Sequence, residues 1–140
     1  MKGRIRRKLV RRYEDGAWVT GREAIIAEEP LAIRLIPWGE RPPGLTVAVT
    51  MRTPGQDFEL AAGFLWTEGI LPNHAALRRI SYCVSSGEER YNVVNVWLNP
   101  DVPVDADRFR RHFAISSSCG ICGTASLEEV LARVGRPGSR

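Results

Sequence analysis

Residues 45–67 read LTVAVTMRTPGQDFELAAGFLWT, and the hydrophobic period changes part-way through this stretch. Apolar residues alternate with small or polar ones over Leu45–Arg52, which predicts a β-strand. Thr53 and Pro54 then have the form of a helix N-cap followed by a first helical residue. The stretch therefore predicts a strand, a sharp corner and a helix that runs to about Thr67.

The predicted helix carries its apolar residues near one face, and Gly69 is predicted to end it. We expect this face to supply core residues, and the positions concerned are Phe58, Ala61, Ala62, Phe64, Leu65 and Trp66.

Further strands are predicted on both sides of the corner, over residues 5–13, 17–20, 23–27, 31–36, 79–86 and 91–98. The last two form a predicted hairpin, Asp15-Gly16 marks a turn, and Glu29-Pro30 is predicted to break the chain. A short charged helix over 105–113 and a last helix from Ser126 to about Val134 are also expected. This pattern predicts an α/β fold, a mixed β-sheet with flanking helices.

Composition places the chain among ordinary globular proteins. Its 140 residues are 44% hydrophobic and 26% charged, which fits one domain with a core of its own. A membrane span needs about 20 consecutive apolar residues, and the longest apolar run, around residues 60–66, is much shorter. The basic N-terminus is not followed by an apolar stretch, so it does not resemble a secretory signal. Three cysteines without an export signal indicate a reducing cytoplasm.

The positive net charge of +4 comes from the N-terminus. Residues 1–12 hold seven basic residues and no acidic one, whereas the remainder holds 13 basic and 16 acidic residues. Such an arm can bind nucleic acid or an acidic protein patch, or it can be a solvated strand with charged edges. No aromatic residue precedes Tyr13, so stacking on bases is unsupported and nucleic acid is not an expected partner.

Two of the three cysteines form a Cys-x-x-Cys pair in Ser116-Ser-Ser-Cys119-Gly-Ile-Cys122-Gly-Thr-Ala-Ser126. A glycine- and serine-rich loop before a helix is a setting for reactive sulfur, because the thiolate is the reactive form and a helix N-terminus favours negative charge. Cys122 lies nearer to the predicted helix, so these residues alone assign it the lower thiol pKa.

The cysteine pair has two other interpretations. Zinc needs about four ligands, and Cys83, His74 or His112 could join the pair, but their spacing matches no standard zinc site and no metal is expected. A thioredoxin-type pair follows the first strand of a βαβ unit, whereas this pair comes late in the chain. Cys83 lies in a strand pattern and is predicted to be core.

The predicted corner offers a second candidate site. The side chain of Arg52 and the helix N-terminus near Thr53 and Gly55 could receive a phosphate. The alternative is an ordinary capped corner, and Asp57 and Glu59 both suit the helix dipole and repel an anion.

Four segments together closely resemble the formate dehydrogenase accessory sulfurtransferase family, FdhD. They are EEPLAIR (28–34), VTMRTPGQDFELAAGFL (49–65), TEGI (67–70) and SSCGICG (117–123). The resemblance extends over residues 25–134 and is specific in combination, whereas Cys-x-x-Cys alone is weak evidence.

The resemblance implies a sulfurtransferase with a cytidine-deaminase-like fold. Such a protein accepts sulfur from a cysteine desulfurase as a persulfide on the first cysteine of the pair, here Cys119, with Cys122 as the second. It passes the sulfur to the molybdenum of a bis-guanine-dinucleotide molybdopterin cofactor, its acceptor substrate, for use by formate dehydrogenase. A homodimer in the cytoplasm, without a membrane partner, is the implied setting.

The resemblance also implies a division of the chain. Residues 1–24 form a basic arm with edge strands, 25–134 the family domain with the cysteine loop, and 135–140 an unstructured tail. Family members are typically twice as long, and the motifs of their C-terminal half are absent, so the chain is expected to be a fragment, a truncated product or one half of a pair. The alternative function is a non-catalytic module that binds a partner protein or zinc.

Overall fold

Six β-strands and one α-helix make up the residues that the computed structural model describes, 4–85 and 88–104. They are β1 (Ile5–Glu14), β2 (Ala17–Ile26), β3 (Glu29–Ile36), β4 (Leu45–Arg52), α1 (Asp57–Thr67), β5 (Leu77–Ser85) and β6 (Glu88–Leu98), with a 3₁₀ turn at His74–Ala76. The predicted α/β class is confirmed. The predicted helices over 105–113 and from Ser126, the cysteine loop and the tail lie outside the described residues.

The main sheet has four strands in the order β4-β3-β6-β5. β3 pairs antiparallel with β4 and parallel with β6, and β5 pairs antiparallel with β6, so the predicted mixed sheet is confirmed. β5 and β6 are the predicted hairpin. The parallel pair requires a crossover connection, and α1 lies on the segment that makes it.

The core lies between one face of this sheet and α1. Alternate residues of β3 and β6 point towards the helix, as the period of two requires. The residues of this core include Leu31, Ile33, Leu35, Val94, Val96, Leu98, Ala61 and Leu65. A smaller buried cluster, which comprises Ala32, Val49, Cys83 and Val93, covers the opposite face. The prediction that Cys83 belongs to the core is confirmed.

The helix begins later than predicted. Its first residue is Asp57, not Pro54, and Gln56 is its N-cap, without a side-chain capping bond. Gly55 has a φ of +136°, a conformation outside the helical region that breaks the predicted first turn. The C-terminal prediction is confirmed, since the helix ends at Thr67 and Gly69 follows with a φ of +68°.

The predicted apolar face of α1 is only partly right. Its buried residues are Asp57, Ala61 and Leu65, at a spacing of four that forms one narrow stripe. Phe58 is 36% exposed and Trp66 is 56% exposed. The prediction that these two residues belong to the core is therefore wrong. Each lies one residue, about 100° around the helix, from a buried position.

β1 and β2 form a separate two-stranded ribbon. The predicted strands 17–20 and 23–27 are one strand, because Gly21 stays within the ladder opposite Val10. The predicted turn is confirmed: Asp15 and Gly16 both have positive φ, as a tight two-residue hairpin requires. The backbone bond from Ala27 N–H to the Arg4 carbonyl closes the base of the ribbon.

We expect Leu65→Ala to lower the free energy of unfolding by about 2–5 kcal/mol, because it empties a fully buried position. The matched substitution Leu60→Ala, on the exposed side of the same helix, should cost less than about 1 kcal/mol. Urea denaturation followed by circular dichroism measures both. Equal losses would contradict the packing described for α1.

Candidate functional site

The corner between β4 and α1 is built on a buried ion pair. Arg52, the last residue of β4, donates from Nε to Oδ1 of Asp57 and from Nη2 to Oδ2, both at 2.9 Å. The side chains are 5% and 2% exposed, respectively. This two-point geometry compensates two charges that would be costly to bury alone. It ties the end of the strand to the start of the helix.

Arg52 is also bonded to the backbone of β3, the neighbour of β4, and of β6, the next strand across the sheet. Its Nη2 donates to the backbone carbonyl of Tyr91 at 2.8 Å, and its Nη1 donates to the carbonyl of Glu29 at 3.3 Å. The buried carboxylate of Glu29 lies 3.9 Å from Nη1 and also pairs with Arg6 of the ribbon. Glu29 therefore belongs to β3, opposite Arg52, and the predicted chain break at Glu29-Pro30 is wrong. Pro30 is tolerated at the start of this strand.

Tyr82 completes the network from β5. Its hydroxyl donates to Oδ2 of Asp57 at 3.1 Å, and its ring contacts those of Phe58 and Tyr91. Burial, followed by the negative charge of Asp57, raises the pKa of Tyr82 above its ordinary value of 10.0. Tyr82 therefore acts as a neutral hydrogen-bond donor at physiological pH. One carboxylate, that of Asp57, thus joins α1, β4 and β5.

The turn before the helix is held from two sides. Gly55 N–H donates to Oδ1 of Asp57 at 3.3 Å, and the Pro54 carbonyl accepts a bond from Arg4 Nε at 3.1 Å. A β-carbon on Gly55 would meet the Arg4 guanidinium at 2.5 Å, and the positive φ independently disfavours any side chain there. The base of the ribbon therefore packs directly on the corner.

The predicted cofactor contact at Arg52, Thr53 and Gly55 stays a prediction. The structure brings these residues together, with Thr53 exposed and Gly55 half-buried. The guanidinium of Arg52, however, makes its hydrogen bonds inside the protein, so it would have to leave Asp57 to reach an anion.

The other predicted site residues are divided between two parts of the chain. Cys119 and Cys122, the predicted catalytic residues, lie outside the described residues, as does His112. His74 is exposed in the 3₁₀ turn. Over 4–85 and 88–104, no three metal-ligating side chains converge, and no helix is long and apolar enough to cross a membrane.

Sequence reasoning missed a cationic and aromatic patch at the edge of the sheet. Arg79 stacks over Trp97 at 4.7 Å, and Arg78 stacks over Trp38 at 4.4 Å. Arg78, Arg79 and Trp97 line a cavity of about 360 Å³. The adjacent arginines at the start of a predicted strand, Arg78 just before it and Arg79 its first residue, were the available signal. This patch combines positive charge with aromatic surface, a combination suited to a planar anion.

Sequence reasoning also missed the network around Asp57. Glu29 and Tyr82 reach Arg52 and Asp57 from 23 and 25 positions away in the chain, respectively. No periodic pattern carries such a pairing, and an acidic residue in the first turn of a helix is explained equally well by the helix dipole.

Comparison with known proteins identifies the family. The family model described as FdhD/NarQ matches residues 26–139, most of the chain, and the match includes both Cys119 and Cys122. The chain belongs to the FdhD/NarQ family. The resemblance found in the sequence is thereby confirmed.

Two curated relatives of the FdhD/NarQ family are named sulfur carrier protein FdhD. The protein of Streptomyces coelicolor is 45% identical over 133 residues, which cover 91% of this chain and 44% of the relative. That of Mycobacterium tuberculosis is 42% identical over 130 residues, which cover 88% of this chain and 44% of the relative. The chain therefore spans less than half the length of these relatives.

A solved structure supports the fold. The crystal structure of a protein described as a formate dehydrogenase accessory protein from Desulfotalea psychrophila matches with a TM-score of 0.55 at 20% sequence identity. The match covers 69% of this chain and 36% of that chain. The matched part of this chain thus shares the fold of that protein.

We expect Asp57→Asn to lower the free energy of unfolding by about 3–5 kcal/mol, because it leaves the buried Arg52 without its counter-charge. The matched control is Glu59→Gln, two residues along on an exposed part of the helix, which should cost less than about 1 kcal/mol. Urea denaturation of both variants tests the difference. A loss for Asp57→Asn no larger than that of the control would contradict a structural role for the ion pair.

The raised pKa of Tyr82 predicts a loss of stability in alkali. The folded state holds the phenolic proton more tightly than the unfolded state, so this contribution is complete below pH 10 and is lost as the pH rises through the folded pKa. The free energy of unfolding should therefore fall more steeply above about pH 10 in the wild-type protein than in Tyr82→Phe. If the free energy of unfolding fell equally with pH in the two proteins, the pKa of Tyr82 would not be raised in the folded state, and the prediction would be wrong.

Proposed function

We propose that this chain is a sulfur carrier in the maturation of formate dehydrogenase, with Cys119 as the accepting thiol. The observation that carries the proposal is the family match over residues 26–139, which contains the Cys-x-x-Cys pair. The names of the relatives, sulfur carrier protein FdhD, support the same role.

The proposed loading step is a thiol exchange on a persulfide. The thiolate of Cys119 attacks the outer sulfur of a donor Cys–S–S⁻ on a cysteine desulfurase. A new sulfur–sulfur bond forms on Cys119, the donor's bond breaks, and the donor cysteine leaves as a thiolate that takes up a proton. The electrons balance without an external oxidant, because the transferred sulfur keeps its oxidation state.

The proposed release step uses Cys122. Its thiolate attacks the inner sulfur of the Cys119 persulfide, forms the Cys119–Cys122 disulfide and expels the outer sulfur, which takes one proton, as hydrosulfide. The outer sulfur gains two electrons and the two cysteines lose them. A thiol reductant must then restore the pair, which fits a cytoplasmic setting.

The acceptor in this proposal is a substrate, the molybdenum of a bis-guanine-dinucleotide molybdopterin cofactor. Its pyrophosphate groups carry negative charge. Of the corner residues predicted to contact them, Thr53 is exposed, Gly55 is half-buried and Arg52 is buried. The remaining proposed partners are formate dehydrogenase, which receives the cofactor, and a second copy of the chain as a homodimer.

Sulfur loading is tested by mass spectrometry of the intact protein and its peptides, after incubation with a cysteine desulfurase and cysteine. We expect one added sulfur atom on the Cys119 peptide, removed by mild reductant. Cys119→Ser should abolish the addition, and the matched variant Cys83→Ser, at a buried thiol in the sheet, should retain it.

Three outcomes of this test have distinct meanings. Added sulfur in Cys122→Ser that cannot be released would support the resolving role of Cys122. Added sulfur that persists in Cys119→Ser would assign the carrier to another thiol. No added sulfur, with bound zinc detected in the intact protein instead, would contradict the carrier proposal and favour a metal-binding module.

A further inference from the structure

The ribbon of β1 and β2 stands apart from the main sheet with its side chains exposed. Within the part of the chain that the structure describes, its strands pair only with each other. Five large apolar side chains on it are 62–71% exposed: Ile5, Leu9, Tyr13, Trp18 and Ile26. A two-stranded ribbon is marginally stable in water unless one face is covered. A surface of this kind marks an interaction site.

The register of the ribbon separates its residues into two faces, because directly opposed residues of an antiparallel pair share a face. We name them the arginine face and the mixed face. The arginine face comprises Ile5, Arg7, Leu9, Arg11, Tyr13, Trp18, Thr20, Arg22, Ala24 and Ile26. The mixed face comprises Arg6, Lys8, Val10, Arg12, Glu14, Ala17, Val19, Gly21, Glu23 and Ile25.

The arginine face has the composition of a protein-binding surface. Its ten residues include three arginines, a tyrosine and a tryptophan, but no lysine and no acidic residue. The buried centres of protein–protein interfaces are likewise enriched in arginine and aromatic residues and depleted in lysine, aspartate and glutamate. Tyr13 and Trp18 meet edge-to-face at 5.3 Å, and Arg11 covers the indole at 4.9 Å. These three side chains at the tip of the ribbon already hold one another in place, so a partner that binds them loses little side-chain entropy.

The charges of the arginine face are ordered along the ribbon. Arg7, Arg22 and Arg11 occupy three successive rungs, which lie about 7 Å apart along the strands. Among the described residues, no ion pair involves Arg7 or Arg22. The positive charge of this face is therefore available to a partner.

The mixed face has ion pairs at two of its three cations. Arg12 pairs with Glu14 and with Glu23, and Arg6 pairs with Glu29 of β3. The arginine face, by contrast, has no ion pair at Arg7, Arg11 or Arg22 among the described residues, so it is the face better suited to an external contact.

We propose that the arginine face docks a separate protein whose surface presents carboxylates around an apolar pocket. Charge complementarity selects this occupant, since three arginines without an ion pair among the described residues favour an acidic surface. The same face of a second copy is disfavoured, because it would bring six guanidinium groups together. Nucleic acid fits less well, since Ile5, Leu9 and Ile26 have no function against phosphates.

The location of the ribbon adds a consequence for the docked partner. Arg4 bonds to Pro54, and Arg6 bonds to Glu29, so the base of the ribbon is attached to the corner built on Arg52. A protein bound along the arginine face is therefore held next to this corner.

Site-specific photo-cross-linking in the native host cell tests the proposal. The photoreactive residue p-benzoylphenylalanine is placed at Thr20, on the arginine face, or at its neighbour Val19, on the mixed face. We expect a discrete adduct from Thr20 and none from Val19. Mass spectrometry of the adduct should identify a peptide of another protein, from a surface rich in Asp and Glu.

A pair of charge-matched variants tests the role of the arginines. Arg7→Ala/Arg22→Ala should lower the yield of the Thr20 adduct by about tenfold or more, because it removes the complementary charges. Lys8→Ala/Arg12→Ala removes the same charge from the mixed face and should leave the yield within about twofold. Circular dichroism of the purified variants verifies that they are folded.

Several results would overturn the proposal. They are equal adducts from Thr20 and Val19, no adduct from Thr20, a peptide from a second copy of this chain, or an adduct destroyed by nuclease. The first experiment keeps every arginine in place, so it stands even where an arginine variant misfolds. The cross-link reports contact and not sulfur loading, so its failure is distinct from a failure at Cys119.

Discussion

The buried pair of Arg52 and Asp57 is the interaction on which the described structure depends. Two charges removed from water are unfavourable unless each hydrogen bond is satisfied. The carbonyl groups of Glu29 and Tyr91 and the hydroxyl of Tyr82 supply the remaining partners. Because these residues come from β3, β6 and β5, one electrostatic network joins α1 to all four strands of the sheet.

This network separates residues that look functional from those that are available for function. Arg52 has the charge and the position of an anion receptor at a helix N-terminus, yet its hydrogen bonds hold the fold together. The exposed cations are elsewhere, beside Trp97 at the sheet edge and on the arginine face of the ribbon. A positive residue in a motif therefore has to be assessed by what it already binds.

Local patterns predicted the elements better than their ends. The period of two in β4 and the Asp15-Gly16 turn were predicted correctly, because both depend on neighbouring residues. The start of α1 was not, because Asp57 is drawn onto Arg52 and Gly55 leaves the helical region. The exposure of Trp66 was also missed. Helical spacing predicts which residues of α1 lie on one side, but it does not predict how wide a strip of that side the sheet buries.

The sequence by itself determined the family, the helix and most of the strands in the described residues, and the candidate thiols Cys119 and Cys122. These follow from short motifs and local periodicity, which are written in adjacent residues. Only the tertiary structure decided that Arg52 is buried and which face of the ribbon keeps its charges free. Both depend on pairings across the sheet and the ribbon, where desolvation and register, and not residue type, determine what a side chain can do.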